Sequence, residues 1–115
     1  MACKYMHIVN SITTTTSSSS VTLNFSNSIT SLTDEEKFCF KIPNGVTIPS
    51  GVDGYVVLIA YNGGTIPLWN KYGNSATVSE LKKNKVCKGY YGATTGHVIT
   101  SALPITYNCG CSNVL

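Results

Sequence analysis

The sequence predicts an all-β fold: one antiparallel β-sandwich or small barrel, of the jelly-roll or immunoglobulin-like kind, with helix limited to single turns. Three observations predict it. Apolar and polar residues alternate at Val21 to Phe25 and again at Phe38 to Ile42, the period of a half-buried strand. Thr, Val, Ile and Tyr, which suit a pleated surface, are frequent along the chain. Turn signals such as Asn44-Gly45, Asp53-Gly54 and Asn62-Gly63-Gly64 separate the runs at short intervals. The 115 residues suit one domain spanning 1–115, long enough to bury a core, and show neither an internal repeat nor a second unit.

Each element has its own justification. Lys4 to Asn10 carries Tyr5, Met6, Ile8 and Val9 and reads as a strand. The low-complexity tract Thr13 to Ser20 has nothing to bury, yet Thr favours extended backbone, so it reads as a polar strand or an arm. Val21 to Phe25 is the next strand. Thr33 and Glu36 have the spacing of a capping box, but Phe38, Phe40 and Ile42 switch at once to period two. One turn followed by a strand is therefore expected. Tyr55 to Tyr61 is a continuous apolar run, which implies burial on both faces. Asn62-Gly63 then supplies the positive φ of a two-residue hairpin turn, setting Val56 opposite Trp69 and Leu58 opposite Pro67. Pro67 donates no amide, so its strand belongs at an edge or a bulge. Val78 to Lys82 reads as one helical turn with Ser79 near its start, Lys85 to Tyr91 and His97 to Leu103 as strands, and Pro104 to Leu115 as irregular or an added edge strand.

Composition bounds the chemistry. Only five carboxylates are present, Asp34, Glu35, Glu36, Asp53 and Glu80, with His7 and His97 as the histidines. General acid–base catalysis needs titratable groups converging on one pocket, so the reading is non-enzymatic, with a small hydrolase as the enzyme-class alternative. Charged residues make up 11% of the chain, against roughly 25% in an average globular protein. Such a surface presents Ser, Thr, Asn and Tyr, and suits contact with other protein. The net charge of +3 is modest, and Lys82, Lys83, Lys85 and Lys88 are point charges in a chain without arginine. No direct nucleic-acid partner is expected, because the bidentate forks that clamp phosphate or read guanine are missing. The apolar run at 56–60 is far shorter than the ~20 residues that span a bilayer, and the first residues lack an apolar signal region. No membrane association is expected, and folding in a cytoplasm is.

The odd set Cys3, Cys39, Cys87, Cys109 and Cys111 holds no C-x-x-C pair, so free, inert thiols are expected. Cys109-Gly110-Cys111 spaces two thiols more tightly than the two to four residues of structural zinc sites, so neither a metal nor another cofactor is expected. The aromatic residues of the second half are the candidate contact residues: Trp69, Tyr72, Tyr90 and Tyr91. Tyr and Trp dominate protein interfaces and also stack on sugars. The competing reading keeps most of them half-buried within the strands.

At Ile66-Pro-Leu-Trp-Asn-Lys-Tyr-Gly-Asn74, Leu81, Gly89-Tyr-Tyr-Gly92 and His97-Val-Ile99, the chain resembles small β-rich virion structural proteins of tailed bacteriophages, over roughly half its length. The resemblance carries no catalytic residue. It implies a capsid-decorating or tail-associated protein in many copies, a homo-oligomer packed on a major capsid or tail protein. Such a protein is made in the host cytoplasm and carried on the virion. The alternative is a carbohydrate-binding or adhesin-like module of the same fold class.

Overall fold

A computed structural model describes residues 6–83, 85–94 and 96–100. Seven strands lie in it: β1 (Met6–Thr15), β2 (Ser20–Phe25), β3 (Lys37–Lys41), β4 (Val56–Tyr61), β5 (Gly64–Trp69), β6 (Val86–Gly92) and β7 (His97–Thr100). One short helix, α1 (Val78–Lys83), stands between β5 and β6. The strands close into a barrel in the order β1-β2-β4-β5-β7-β6-β3, with β3 returning to β1. The fold is therefore all-β, and of the two architectures expected it is the barrel. Its pairing corrects the antiparallel expectation: β1–β3, β2–β4 and β5–β7 run parallel. Parallel neighbours need crossover connections, which the long loops around β3 and the α1–β6 segment provide. Periodicity in one strand is blind to such connections.

The Thr/Ser tract is part of this barrel. Thr13 to Thr15 end β1, Thr16–Ser18 form a 3-10 turn, Ser19 takes a positive φ of 51°, and Ser20 opens β2. The tract is thus the tip of the β1–β2 hairpin, with Thr13 paired to Thr22 and Thr15 to Ser20. β1 is longer than the sequence implies because it carries a bulge between Val9 and Ser11. The extra residue switches the inward set from His7 and Val9 to Ile12, and lets one strand serve β3 with its first half and β2 with its second.

The β4–β5 hairpin turns on Asn62 and Gly63, with φ of 47° and 79°, and sets Leu58 opposite Pro67 as expected. Val56 and Trp69 do not face each other; isolated bridges join Val56 to Thr77 and Trp69 to Ser75 instead. Burial on both faces of β4 is also corrected. Val57 and Ile59 are fully buried, whereas Val56, Leu58 and Ala60 are half-buried on the outer side. Pro67 is accommodated without an edge, since the ladder to β7 starts one residue later at Leu68. The helix falls where the sequence sets it, from Val78 with Ser79 near its start, and Thr77 caps it: Glu80 Oε1 accepts the Thr77 N–H at 3.0 Å.

The core is continuous. Val9, Val21, Leu23, Phe38, Phe40, Ile59, Leu68 and Val98 point inward and are essentially inaccessible. Each fully buried side chain of this kind contributes about 1.5–3 kcal/mol relative to exposure. At one end His7 stacks on Phe38 with ring centroids 4.6 Å apart, and Phe25 meets both edge-on. Burial there holds the His7 imidazole below the usual histidine range, an effect only partly offset by the charge of Glu36.

Candidate interaction surface

Strand alternation decides which candidate aromatics are available. In β5 Ile66 and Leu68 face the core, so Trp69 faces outward and is half-buried. In β6 Cys87 and Tyr91 face the core, so Tyr90 faces outward, 42% exposed. The registers then place these residues side by side, Trp69 next to Ile99 and Ile99 next to Tyr90. An apolar row of three residues therefore crosses the outside of β5, β7 and β6. The inner counterpart of this row, Leu68, Val98 and Tyr91, belongs to the core.

Tyr91 is accordingly not a surface residue. It is 9% exposed and stacks on Tyr61 at 6.1 Å. Its backbone also fixes the turn before β3, accepting from Glu35 N–H and donating to Glu36 C=O. The sequence offers Tyr90 and Tyr91 as equals because adjacent residues in a strand share everything except the face they occupy.

Tyr72 extends the exposed set from a loop, and Asn70 builds that loop. Asn70 is a buried polar residue whose Oδ1 accepts from the backbone N–H of Tyr72 at 3.0 Å and of Asn74 at 3.1 Å. Its Nδ2 donates to Glu80 on α1, and Gly73 takes the positive φ of 82° that closes the turn. Tyr72 is left 65% exposed, with the Lys71 ammonium 5.4 Å from the centre of its ring. Lys37, paired with Tyr90 across β3 and β6, borders the row on its other side. The outward set is thus aromatic and apolar, with Lys71 over Tyr72 and Lys37 beside Tyr90. The sequence marks Asn70-Lys-Tyr-Gly-Asn74 as a turn, and the structure has it there; the tie from the Asn70 side chain to α1 is what the sequence does not show.

The carboxylates are engaged elsewhere. Asp34 accepts the Ala93 N–H at 2.8 Å, Glu36 accepts the Thr33 N–H at 2.8 Å, and Asp53 pairs with Lys82 at 2.6 Å. With Glu80 capping α1, four of the five acids serve local structure at scattered places. Among the described residues no group of His, Cys, Asp and Glu has the geometry to hold a metal ion. Cys109 and Cys111 lie outside the described residues.

One cysteine expectation is overturned. Cys39 is disulfide-bonded. It faces away from Phe38 and Phe40, yet it is fully buried on the outer side of β3. Its bonding partner lies outside the described residues. The odd count argues that at least one thiol is left over, and it says nothing against a single bridge. Cys87 matches the expectation of a thiol: it takes no part in a disulfide, lies buried in the core, and is pushed up to about 12 by that burial.

No described helix is long and apolar enough to cross a membrane. Compared with protein-family models, curated proteins and solved structures, the chain finds no match in any of the three.

Proposed function

We propose that this protein is a non-enzymatic structural component of a phage particle, a capsid-decorating or tail-associated barrel that works by packing against protein. Its partners are copies of itself and a larger virion protein. The observation that carries the reading is the outward row Trp69–Ile99–Tyr90, with Tyr72 exposed on a loop that the Asn70 side chain holds. Interfaces draw most of their energy from a few aromatic anchors, and anchors on paired strands lose little entropy on docking. The scattered use of the carboxylates supports a role without catalysis. The disulfide at Cys39 also suits a virion protein, since such bonds persist on particle surfaces but not in a reducing cytoplasm. The phage assignment itself rests on the resemblance of residues 66–99 to such proteins.

Two measurements test this reading. Mass spectrometry of purified particles should find the chain in stoichiometric amounts, and light scattering of the isolated protein should show association. Trp69→Ala with Tyr90→Ala should weaken that association by about 2 kcal/mol or more while the barrel stays folded. A folded double variant that associates like the parent protein removes the aromatic row from the mechanism.

A further inference from the structure

The outer side of β1, β2 and β4 carries a cleft of about 530 Å³, within the ~300–1,000 Å³ of small-molecule sites. The β4–β5 turn and the loop after β2 wall it in, and the backbone bond from Asn62 N–H to Ile29 C=O at 2.8 Å joins those two walls. None of its lining residues is charged. Hydroxyls come from Thr13, Thr22, Ser28, Thr30 and Thr65, and amides from Asn24 and Asn62. Phe25 and Tyr61 also border it, with their rings turned to the core on His7 and Phe38 and on Tyr91.

These groups are held in place. Asn24 Nδ2 donates to Thr13 Oγ1 at 2.9 Å across the β1–β2 pair. The hydrogen bonds of Asn24 among the described residues all run through that nitrogen, which leaves its carbonyl oxygen to accept from a ligand. Tyr61 Oη accepts the Leu32 N–H at 3.2 Å, so its ring angle is set by the backbone of the facing loop. At Gly63 an added Cβ would meet nothing within 4 Å, and a ligand ring can approach the backbone there.

We propose that this cleft binds a neutral saccharide. A sugar presents hydroxyls that both donate and accept, matched by threonine hydroxyls and asparagine amides. An anionic ligand would find no cation in the lining, and a cationic one no carboxylate. A purely apolar ligand would bury five hydroxyls and two amides without partners, which is unfavourable. The site is separate from the aromatic row, so its occupancy and the packing role are independent.

Saturation-transfer NMR on the full chain tests the proposal, with glucose, galactose, N-acetylglucosamine and their disaccharides as probes and glucuronic acid as the charged control. At least one neutral sugar should give saturable transfer in the millimolar range, and glucuronic acid should not. Asn24→Ala should weaken that binding about tenfold, the effect of losing one well-formed polar contact and its neighbours. Thr65→Lys, at an exposed position, should abolish it while leaving the thermal midpoint and the association state unchanged. Three results would each overturn the proposal: no saturable neutral sugar, equal binding of glucuronic acid, or binding that survives Thr65→Lys. Loss of association in Tyr90→Ala with sugar binding intact would speak to the packing role alone.

Discussion

The outer surface of this barrel has two unlike halves. Over β5, β7 and β6 the outward positions hold Trp69, Ile99 and Tyr90. Over β1 and β2 they hold Thr13, Thr22 and Asn24, on one face of an antiparallel ladder. Beneath both halves the inward residues are equally apolar and equally buried, Leu68 and Val98 on one side and Val21 and Leu23 on the other. Core formation therefore does not account for the difference. An outward aromatic such as Tyr90, 42% exposed, contributes little to the monomer's own core, whereas outward threonines solvate a strand without adding charge. On the readings proposed above, the two halves differ in what they meet: a protein surface on one side, a small polar molecule on the other.

The sharpest test of this division uses neighbouring residues in β6. Tyr91→Ala should destabilise the fold by about 3–5 kcal/mol through loss of core packing against Tyr61. Tyr90→Ala should change stability by no more than about 0.5 kcal/mol, as expected of a surface position, and act on association. Chemical denaturation of both variants measures the difference. Equal losses would mean that β6 does not separate an inner from an outer face.

A second test concerns the side of the barrel that belongs to neither half. The disulfide at Cys39 should stabilise the fold by about 2–4 kcal/mol, so reductant should lower the thermal midpoint of the parent protein and not of Cys39→Ala. Titration of denatured, never-reduced protein should find no more than three thiols, since one bridge removes two of the five. In the native state Cys87 should resist alkylation, because its buried thiol holds its proton at neutral pH.

The smallest effect is expected at His7. Its folded pKa lies below the unfolded value of 6.5, so below that pH the unfolded chain binds more protons than the native one. The contribution of the neutral, stacked imidazole is complete above pH 6.5 and is lost as pH falls through the folded pKa. Thermal midpoints measured downward from pH 7.5 should decline in this window in the parent protein and less in His7→Phe. An unchanged slope in the variant would place the titration elsewhere.

Much of the fold was legible because it is written in local alternation. Val21 to Phe25, Phe38 to Phe40 and the Asn62-Gly63 turn are set by side-chain period and by φ preference, properties a residue carries wherever the chain goes. The Leu58–Pro67 register followed from turn length alone. The turn of helix at Val78 to Lys82 was legible in the same way, and Thr77-x-x-Glu80 is its capping pair.

What the sequence by itself determined, then, is which residues alternate, where the chain turns, and that few groups could perform acid–base chemistry. Only the tertiary structure decided the rest. Parallel pairing of β1 with β3 and of β5 with β7 depends on crossovers between distant segments. The bulge at Val9 and Ser11 resets which threonines face outward, and so makes one wall of the cleft. Tyr90 and Tyr91 are told apart by the face that β6 turns to its neighbours, and Cys39 by a bond that no local pattern announces. Each of these depends on contacts between segments far apart in the chain, and a residue's neighbours in sequence carry no information about them.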